Sequence, residues 1–173
     1  FQPLLLNDLL PGGAGSLAGT LKLTGARNAP NIDADLSGNG LKWNDWSAAT
    51  LSVRGRLPWQ GRNGALAVNG TDINVGTVLD SLQLDATGSL QHLQVEGKAH
   101  NAMGAIALSG SAQQRGNNWQ GTLDTLRLSV ARGTDWTLQQ PARFAQQGSN
   151  WTLSQTCLGA AGGGSLCANA NWP

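Results

Sequence analysis

From Leu17 onward, apolar or small residues fall at every second position. The first half runs Leu17, Gly19, Leu21, Leu23; Ile32, Ala34, Leu36, Gly38; Leu51, Val53, Gly55, Leu57; and Leu66, Val68. The second half continues with Leu82, Leu84, Ala86, Gly88, Leu90; Leu93, Val95, Gly97, Ala99; Ile106, Leu108, Gly110, Ala112; and Trp119, Gly121, Leu123. After a slip of phase near Asp124 come Leu126, Leu128, Val130, then Trp136, Leu138 and Trp151, Leu153. A period of two is the side-chain period of a β-strand. No Lys, Arg, Asp or Glu occupies an in-phase position, whereas Lys22, Asp33, Asp35, Arg54, Arg56, Asp85, Glu96, Lys98, Asp124, Arg127 and Asp135 take the opposite phase. That pattern predicts an antiparallel sheet with one apolar and one wet face.

Turn chemistry punctuates the runs at Gly25 to Asn31, Gly61 to Gly64, Asn69 to Thr71, Asn101 to Gly104, Arg115 to Asn118, Arg132 to Thr134, Gln147 to Asn150 and Gly159 to Gly164. The expectation is an all-β chain of about ten or more strands. Residues 1–173 read as one domain, with a short amphipathic helix over Phe1 to Leu10 stopped by Pro11-Gly12-Gly13, and sheet over 15–173.

Glycine stands at an in-phase, mid-strand position again and again: Gly19, Gly55, Gly88, Gly97, Gly110 and Gly121. Strand glycines mark a bulge, a bend or the close approach of another group. Two readings stay open: sharp curvature of a closing sheet, or a row of notches along one concave surface that leaves room for a ligand. A β-sandwich would fill its interior with side chains, which mid-strand glycine and alanine work against. A membrane barrel needs aromatic girdles and longer alternating runs. What remains is a strongly curved, mainly antiparallel sheet forming a U-shaped apolar groove. Its expected lining is Leu21, Leu23, Ile32, Leu36, Leu51, Val53, Leu82, Leu84, Leu93, Val95, Ile106, Leu108, Trp119, Leu126, Leu128, Trp136 and Leu138. Apolar patches beyond a few hundred Å² are rarely left bare, so a ligand, a partner or a neighbouring repeat is expected to cover it.

Composition changes this picture little. Charged residues are 12%, the formal net charge is +1, and the Lys and Arg are scattered apart from Arg54 and Arg56. That is no footprint for nucleic acid, which needs clustered cations on one face. The chain contains 24 Gly, about twice the ordinary share, and seven Trp with no Tyr. It opens on Phe1 rather than Met, with neither a signal peptide nor a long apolar run, and is read as a piece of a larger protein.

Candidate chemistry is sparse. His92 and His100 share the polar phase but lie roughly 26 Å apart along an extended strand, too far to share a metal. No nucleophile elbow, P-loop lysine or paired-carboxylate motif is found, so no catalysis, cofactor or metal is expected. Cys157 and Cys167 flank a glycine run. If it turns a hairpin about Gly162 they face each other closely enough for a disulfide; the alternative is two free buried thiols. A bridge favours the periplasm or another oxidising compartment.

The run from Gly15 to Leu41, GSLAGTLKLTGARNAPNIDADLSGNGL, resembles the repeat of the TamB family in the AsmA-like superfamily: a G-x-L-x-G-x-L-x-L-x-G strand, an N-x-P linker and an I-D-x-x-L strand. Trp136 to Ala142, followed by NWTLSQTCL and the paired cysteines, is similar to the family's C-terminal region. The resemblance implies a "β-taco" fold in a periplasmic segment of an inner-membrane-anchored protein. It further implies the partner TamA, an outer-membrane protein of the Omp85 class, and roles in phospholipid transport between the membranes and in outer-membrane protein assembly. The expected occupants of the groove are therefore phospholipid acyl chains or, alternatively, unfolded outer-membrane proteins.

Overall fold

The computed structural model describes residues 4–27, 29–61, 63–116 and 118–172. One sheet of thirteen strands contains almost all of them. In chain order these are β1 (Leu4–Leu5), β2 (Ala14–Ala26), β3 (Ala29–Trp43), β4 (Trp46–Leu57), β5 (Gly64–Asn74), β6 (Val78–Gly88), β7 (His92–Asn101), β8 (Gly104–Arg115), β9 (Asn118–Val130), β10 (Trp136–Leu138), β11 (Ala142–Gln147), β12 (Asn150–Ala160) and β13 (Ser165–Trp172), with helix α1 (Leu6–Leu9) after β1. The all-β, antiparallel, curved sheet read from the alternation is what the chain forms.

The topology is a meander. From β1 to β9 each strand pairs antiparallel with the next. β10 and β11 act as one broken strand between β9 and β12: β10 lies against Arg127–Leu128 and Leu158–Ala160, and β11 against Trp119–Leu123 and Asn150–Leu153. The break falls at Gln139 to Pro141, where proline has no N–H to give a ladder. β13 closes the series on β12. Among the described residues no pairing joins β2 to β13, so the sheet is open and not a barrel.

Three local expectations need comment. The N-terminal helix is only Leu6–Leu9, because Leu4–Leu5 pair with Ser16–Leu17 as a strand, and Phe1 to Pro3 lie outside the described residues. Asn69 to Thr71 is not a turn: Gly70 sits in β5 between Leu51 and Leu82, and the chain turns at Val75 to Thr77. The slip of phase at Asp124 is a β-bulge, since Ser109 opposes Thr125 and Gly110 opposes Leu123, leaving Asp124 as the extra residue.

A second irregularity crosses four strands. The ladders skip Gly40, Ala49, Asp72 and Asp80, and Gly40 and Asp72 take positive φ of 59° and 48°. Beyond this line the alternation inverts, so apolar residues recur three positions away instead of two: Gly38 to Leu41, Ala48 to Leu51, Gly70 to Ile73, Leu79 to Leu82. Leu41 folds back over Gly38 and Ile73 over Gly70, each Cδ1 2.6 Å from where a Cβ would stand. With Leu6 of α1 seated on them, Leu41, Ala48 and Ile73 form the buried core, flanked by Trp46, Leu51, Leu79 and Leu82.

That core is small for the chain. Besides these four, the buried apolar residues among those described are Ala34, Leu57 and Ala142. A compact protein of 17.9 kDa exposes about 8,000 Å²; this one exposes 11258 Å². Among the described residues no second layer covers the sheet, and its cohesion comes from the backbone ladders.

Candidate functional site: an apolar groove

The pairing register places the expected lining residues on one face and sorts them into cross-strand rows. One row runs Leu17, Gly38, Leu51, Gly70, Leu82, Ala99, Ile106, Leu128, Trp136. The next holds Gly19, Leu36, Val53, Val68, Leu84, Gly97, Leu108, Leu126. A third holds Leu21, Ala34, Gly55, Leu66, Ala86, Val95, Gly110, Leu123, Ala142. The fourth carries Leu23, Ile32 and Leu57, then Gly88, Leu93, Ala112, Gly121, Phe144 and Leu153. Trp119 stands one row further out, at the lip, opposite Gln114 and Gln146. Leu138 pairs with Leu158, two residues from Trp136.

Most of these side chains are half-buried. Leu21 and Leu23 are more exposed, at 57% and 62%, because β2 is an edge strand covered by β1 only at Ser16 and Leu17. Two hollows open on the other face of the sheet, lined mainly by out-of-phase side chains: one of about 590 Å³ among Thr50, Asn69, Thr71, Gln83, Lys98 and His100, and one of about 980 Å³ among His92, Gln94, Gln113, Gln120, Arg143 and Thr152. Phe144 was not among the expected lining residues; it is the single large apolar side chain of a short strand behind Pro141, too brief a run to show a period.

The six glycines do not form one row, and the room they leave is occupied. Gly19, Gly55 and Gly88 step diagonally across β2, β4 and β6 with φ of 121°, 128° and 100°. Side chains rarely adopt that region, and a Cβ there would meet the carbonyl oxygens of Asp35, Ala65 and His92 on the adjoining strands. Gly97, Gly110 and Gly121 form a second diagonal across β7, β8 and β9. Over Gly97 lie Leu84 and Leu108, at 2.9 and 3.3 Å from the Cβ position, and over Gly121 lies the Phe144 ring. Gly110 is the bulge partner of Asp124. The reading of empty notches is thus replaced by bends on one diagonal and interdigitated side chains on the other.

The opposite face is polar. Arg54 Nε lies 3.3 Å from Asp35 Oδ1, and Thr50 and Thr71 share a 2.7 Å hydroxyl contact. Arg127 donates to Asp135 Oδ2 at 2.9 Å and Ser129 Oγ donates at 3.2 Å. The Arg127 hydrogen bond holds the Asp135 carboxyl below the ordinary carboxylate range. Cys157 and Cys167 are disulfide-bonded across β12 and β13 on this face, out of phase with Leu158 and Leu166. His92 and His100 lie at opposite ends of β7, and His100 Nδ1 is 3.4 Å from Asp80. Among the described residues no three His, Cys, Asp or Glu side chains are grouped to hold a metal, and no helix is long and apolar enough to cross a membrane.

An open one-layer antiparallel β-sheet with one apolar and one polar face is the class of protein that this geometry defines. The chain belongs to the TamB family: the family model described as "TamB, N-terminal domain" matches residues 4–172. That description names the N-terminal domain, where the segment from Trp136 resembles the family's C-terminal region. Membership makes this an envelope protein. No solved structure matches it significantly.

Proposed function

We propose that the groove shields the acyl chains of phospholipids and forms one section of a periplasmic path between the two membranes, within a parent protein anchored in the inner membrane and paired with TamA. The observation that carries this is the four-row apolar face, most of whose leucines, valines and isoleucines stay half-buried, with no second layer over them among the described residues away from the Leu6 corner. Fully burying each such side chain is worth about 1.5 to 3 kcal/mol, so an apolar occupant recovers stabilisation that the bare sheet forgoes. Chains slide along such a surface without a chemical step. The test is to replace Leu84, Val95 or Leu108 by Asp or Arg and follow phospholipid passage in cells. Loss of passage with the fold intact is expected; normal passage in a folded variant would count against the reading.

A second reading has one observation in its favour. The edge of β2 from Ala18 to Ala26 is exposed along its whole length, and so is that of β13 from Ser165 to Asn169. Unpaired edges are templates for strand addition, and a nascent outer-membrane protein strand fits them. A photoreactive residue at Val95 should capture phospholipid under the first reading. One at Leu23, on the edge, should capture unfolded polypeptide under the second.

A further inference from the structure

Charge is spread unevenly over the polar face. On β2 to β4 its cross-strand rows are ionic: Lys22 faces Asp33, which faces Arg56, and Asp35 faces Arg54. From β6 onward, toward the rim that carries the turns after β6 and β8, the carboxylates disappear. One row there runs Thr87, Gln94, Ser111, Thr122, Arg143. The next runs His92, Gln113, Gln120, Ala145, Thr152. At the turns a third holds Arg115 opposite Asn118 and Gln147 opposite Asn150. These rows contain two arginines, no lysine and no Asp or Glu. All share the wet side, because each is out of phase with the apolar face: Arg143 lies between Ala142 and Phe144, and Gln113 follows Ala112.

The first two rows line the 980 Å³ hollow. Ser111, Gln113, Gln120 and Thr122 form its half-buried floor, while Thr87, Gln94, His92, Arg143 and Thr152 around them are exposed. The sheet is therefore dished here. Elsewhere on this face, polar side chains satisfy one another. Thr50 meets Thr71 and Ser109 meets Thr125, each pair at 2.7 Å, and Gln83 donates to Asp85 at 2.8 Å. On the floor of the hollow Ser111 stands opposite Thr122 and Gln113 opposite Gln120. Among the described residues none of those four side chains hydrogen-bonds to the protein, and the hydrogen bonds at its edge are Ser154 Oγ with the Arg143 N–H and Thr152 Oγ1 with the Ala145 carbonyl.

Amides and hydroxyls each donate and accept. Left open on a half-buried floor, with guanidinium beside them and no carboxylate among them, they complement a ligand rich in hydroxyls that carries negative charge. We propose that this hollow binds an acidic glycan. Its hydroxyls exchange hydrogen bonds with Ser111, Gln113, Gln120 and Thr122, and Arg143 pairs with a carboxylate or phosphate on it through two parallel donors. Arg115, at the turn beyond Gln113, adds attraction from the rim. Asp85 and Glu96, directly opposite each other in the next row inward, repel an acid group from the other side. An extended polypeptide fits less well, since its backbone needs donors and acceptors in fixed alternation, which a strand edge offers and a face of side chains does not. Pockets of about 300 to 1,000 Å³ hold drug-sized ligands, so the hollow has room for a few sugar rings. The site lies on the face that the acyl-chain reading leaves unused, and neither depends on the other.

The test follows the backbone amide NMR signals of Ser111 and Thr122 while the chain is titrated with tetragalacturonate, tetramannuronate and the uncharged maltotetraose. Both acidic tetramers should shift these signals saturably, and maltotetraose should bind about tenfold more weakly, the scale of one charged hydrogen bond. Arg143→Ala should weaken the acidic tetramers about tenfold and leave maltotetraose unchanged, with Arg143→Lys in between. Gln113→Ala with Gln120→Ala should weaken all three. Lys98→Ala, in the smaller hollow of the same face, should change none. Thermal melts identify any variant that fails to fold, and Arg143→Lys then decides. If neither acidic tetramer shifts the signals, the proposal falls. Maltotetraose binding as tightly as the acids would overturn the assignment of an acidic ligand. Inorganic phosphate or monomeric galacturonate competing as well as the tetramers would make the hollow a plain anion site, and an equal effect of Lys98→Ala would reduce it to general surface charge; either overturns the proposal.

Discussion

At one corner of the sheet, Leu6, Leu41, Ala48 and Ile73 close into a core; a few residues along the same strands, Leu36, Val53 and Val68 lie half-buried on the open part of the same face. The residue types are alike and the strands are shared. What differs is that the kink through Gly40, Ala49, Asp72 and Asp80 folds the strand ends over, and α1 supplies Leu6 to cap them. Burial here follows from a local break in alternation together with one inserted side chain, not from hydrophobicity alone. The groove stays open because nothing in the described chain repeats that arrangement along it.

The comparison can be broken most directly by placing a charge in each region. Ile73→Asp puts an unpaired carboxylate among buried residues and should cost on the order of 4 kcal/mol or more, enough to unfold a marginal domain. Leu84→Asp, on the half-exposed face, should cost less than about 1.5 kcal/mol by the same reasoning. Urea unfolding followed by Trp fluorescence measures both, and equal costs would erase the distinction between corner and groove.

Away from the corner, the sheet depends on its covalent and backbone ties. The disulfide closes a loop with sequence separation 10 at the β12–β13 hairpin. Its reduction should cost about 2.5 kcal/mol by loop entropy. The loss should appear as faster amide exchange in Leu166 to Ala170, with the closed corner unaffected. Uniform destabilisation would show that the two regions unfold as one unit.

The two glycine diagonals give a smaller contrast. Gly55→Ala forces a side chain into positive φ against the Ala65 carbonyl and should cost about 2 kcal/mol. Gly97→Ala only pushes the ends of Leu84 and Leu108 and should cost about half as much. The reverse ranking in thermal melts would mean that packing, not backbone bending, shapes the groove.

The smallest effect concerns pH at the β9–β10 hairpin. Asp135 has a carboxyl pKa lowered by Arg127, so its contribution is present above the unfolded carboxylate value and is lost as pH falls through the lowered one. Carboxyl NMR should place the Asp135 midpoint below the ordinary range, and Arg127→Ala should raise it. An unmoved midpoint in that variant would assign the shift to Ser129 instead.

Much of the fold was legible because alternation is a local property. The apolar alternation from Leu17 to Leu153 and its slip at Asp124 follow from counting by two, and the bridge between Cys157 and Cys167 was one of two readings of the glycine run between them. The closed corner was missed for the same reason: Leu41, Ile73 and Leu79 are out of phase by one, and their signal is a three-residue spacing repeated in four consecutive strands. The misread turn at Asn69 to Thr71 came from treating an N-G-T run as a turn, when Gly70 is small because Ile73 packs over it.

By itself, the sequence determined an all-β chain with one apolar and one charged face, because each residue's side of a strand depends only on its near neighbours. Only the tertiary structure decided which strands pair, where the sheet folds over itself, what stands above each glycine and which turns share a lip. Those depend on register between residues far apart in the chain. A meander carries Arg27 and Arg115, 88 positions apart, to the same rim, a relation that no local pattern contains.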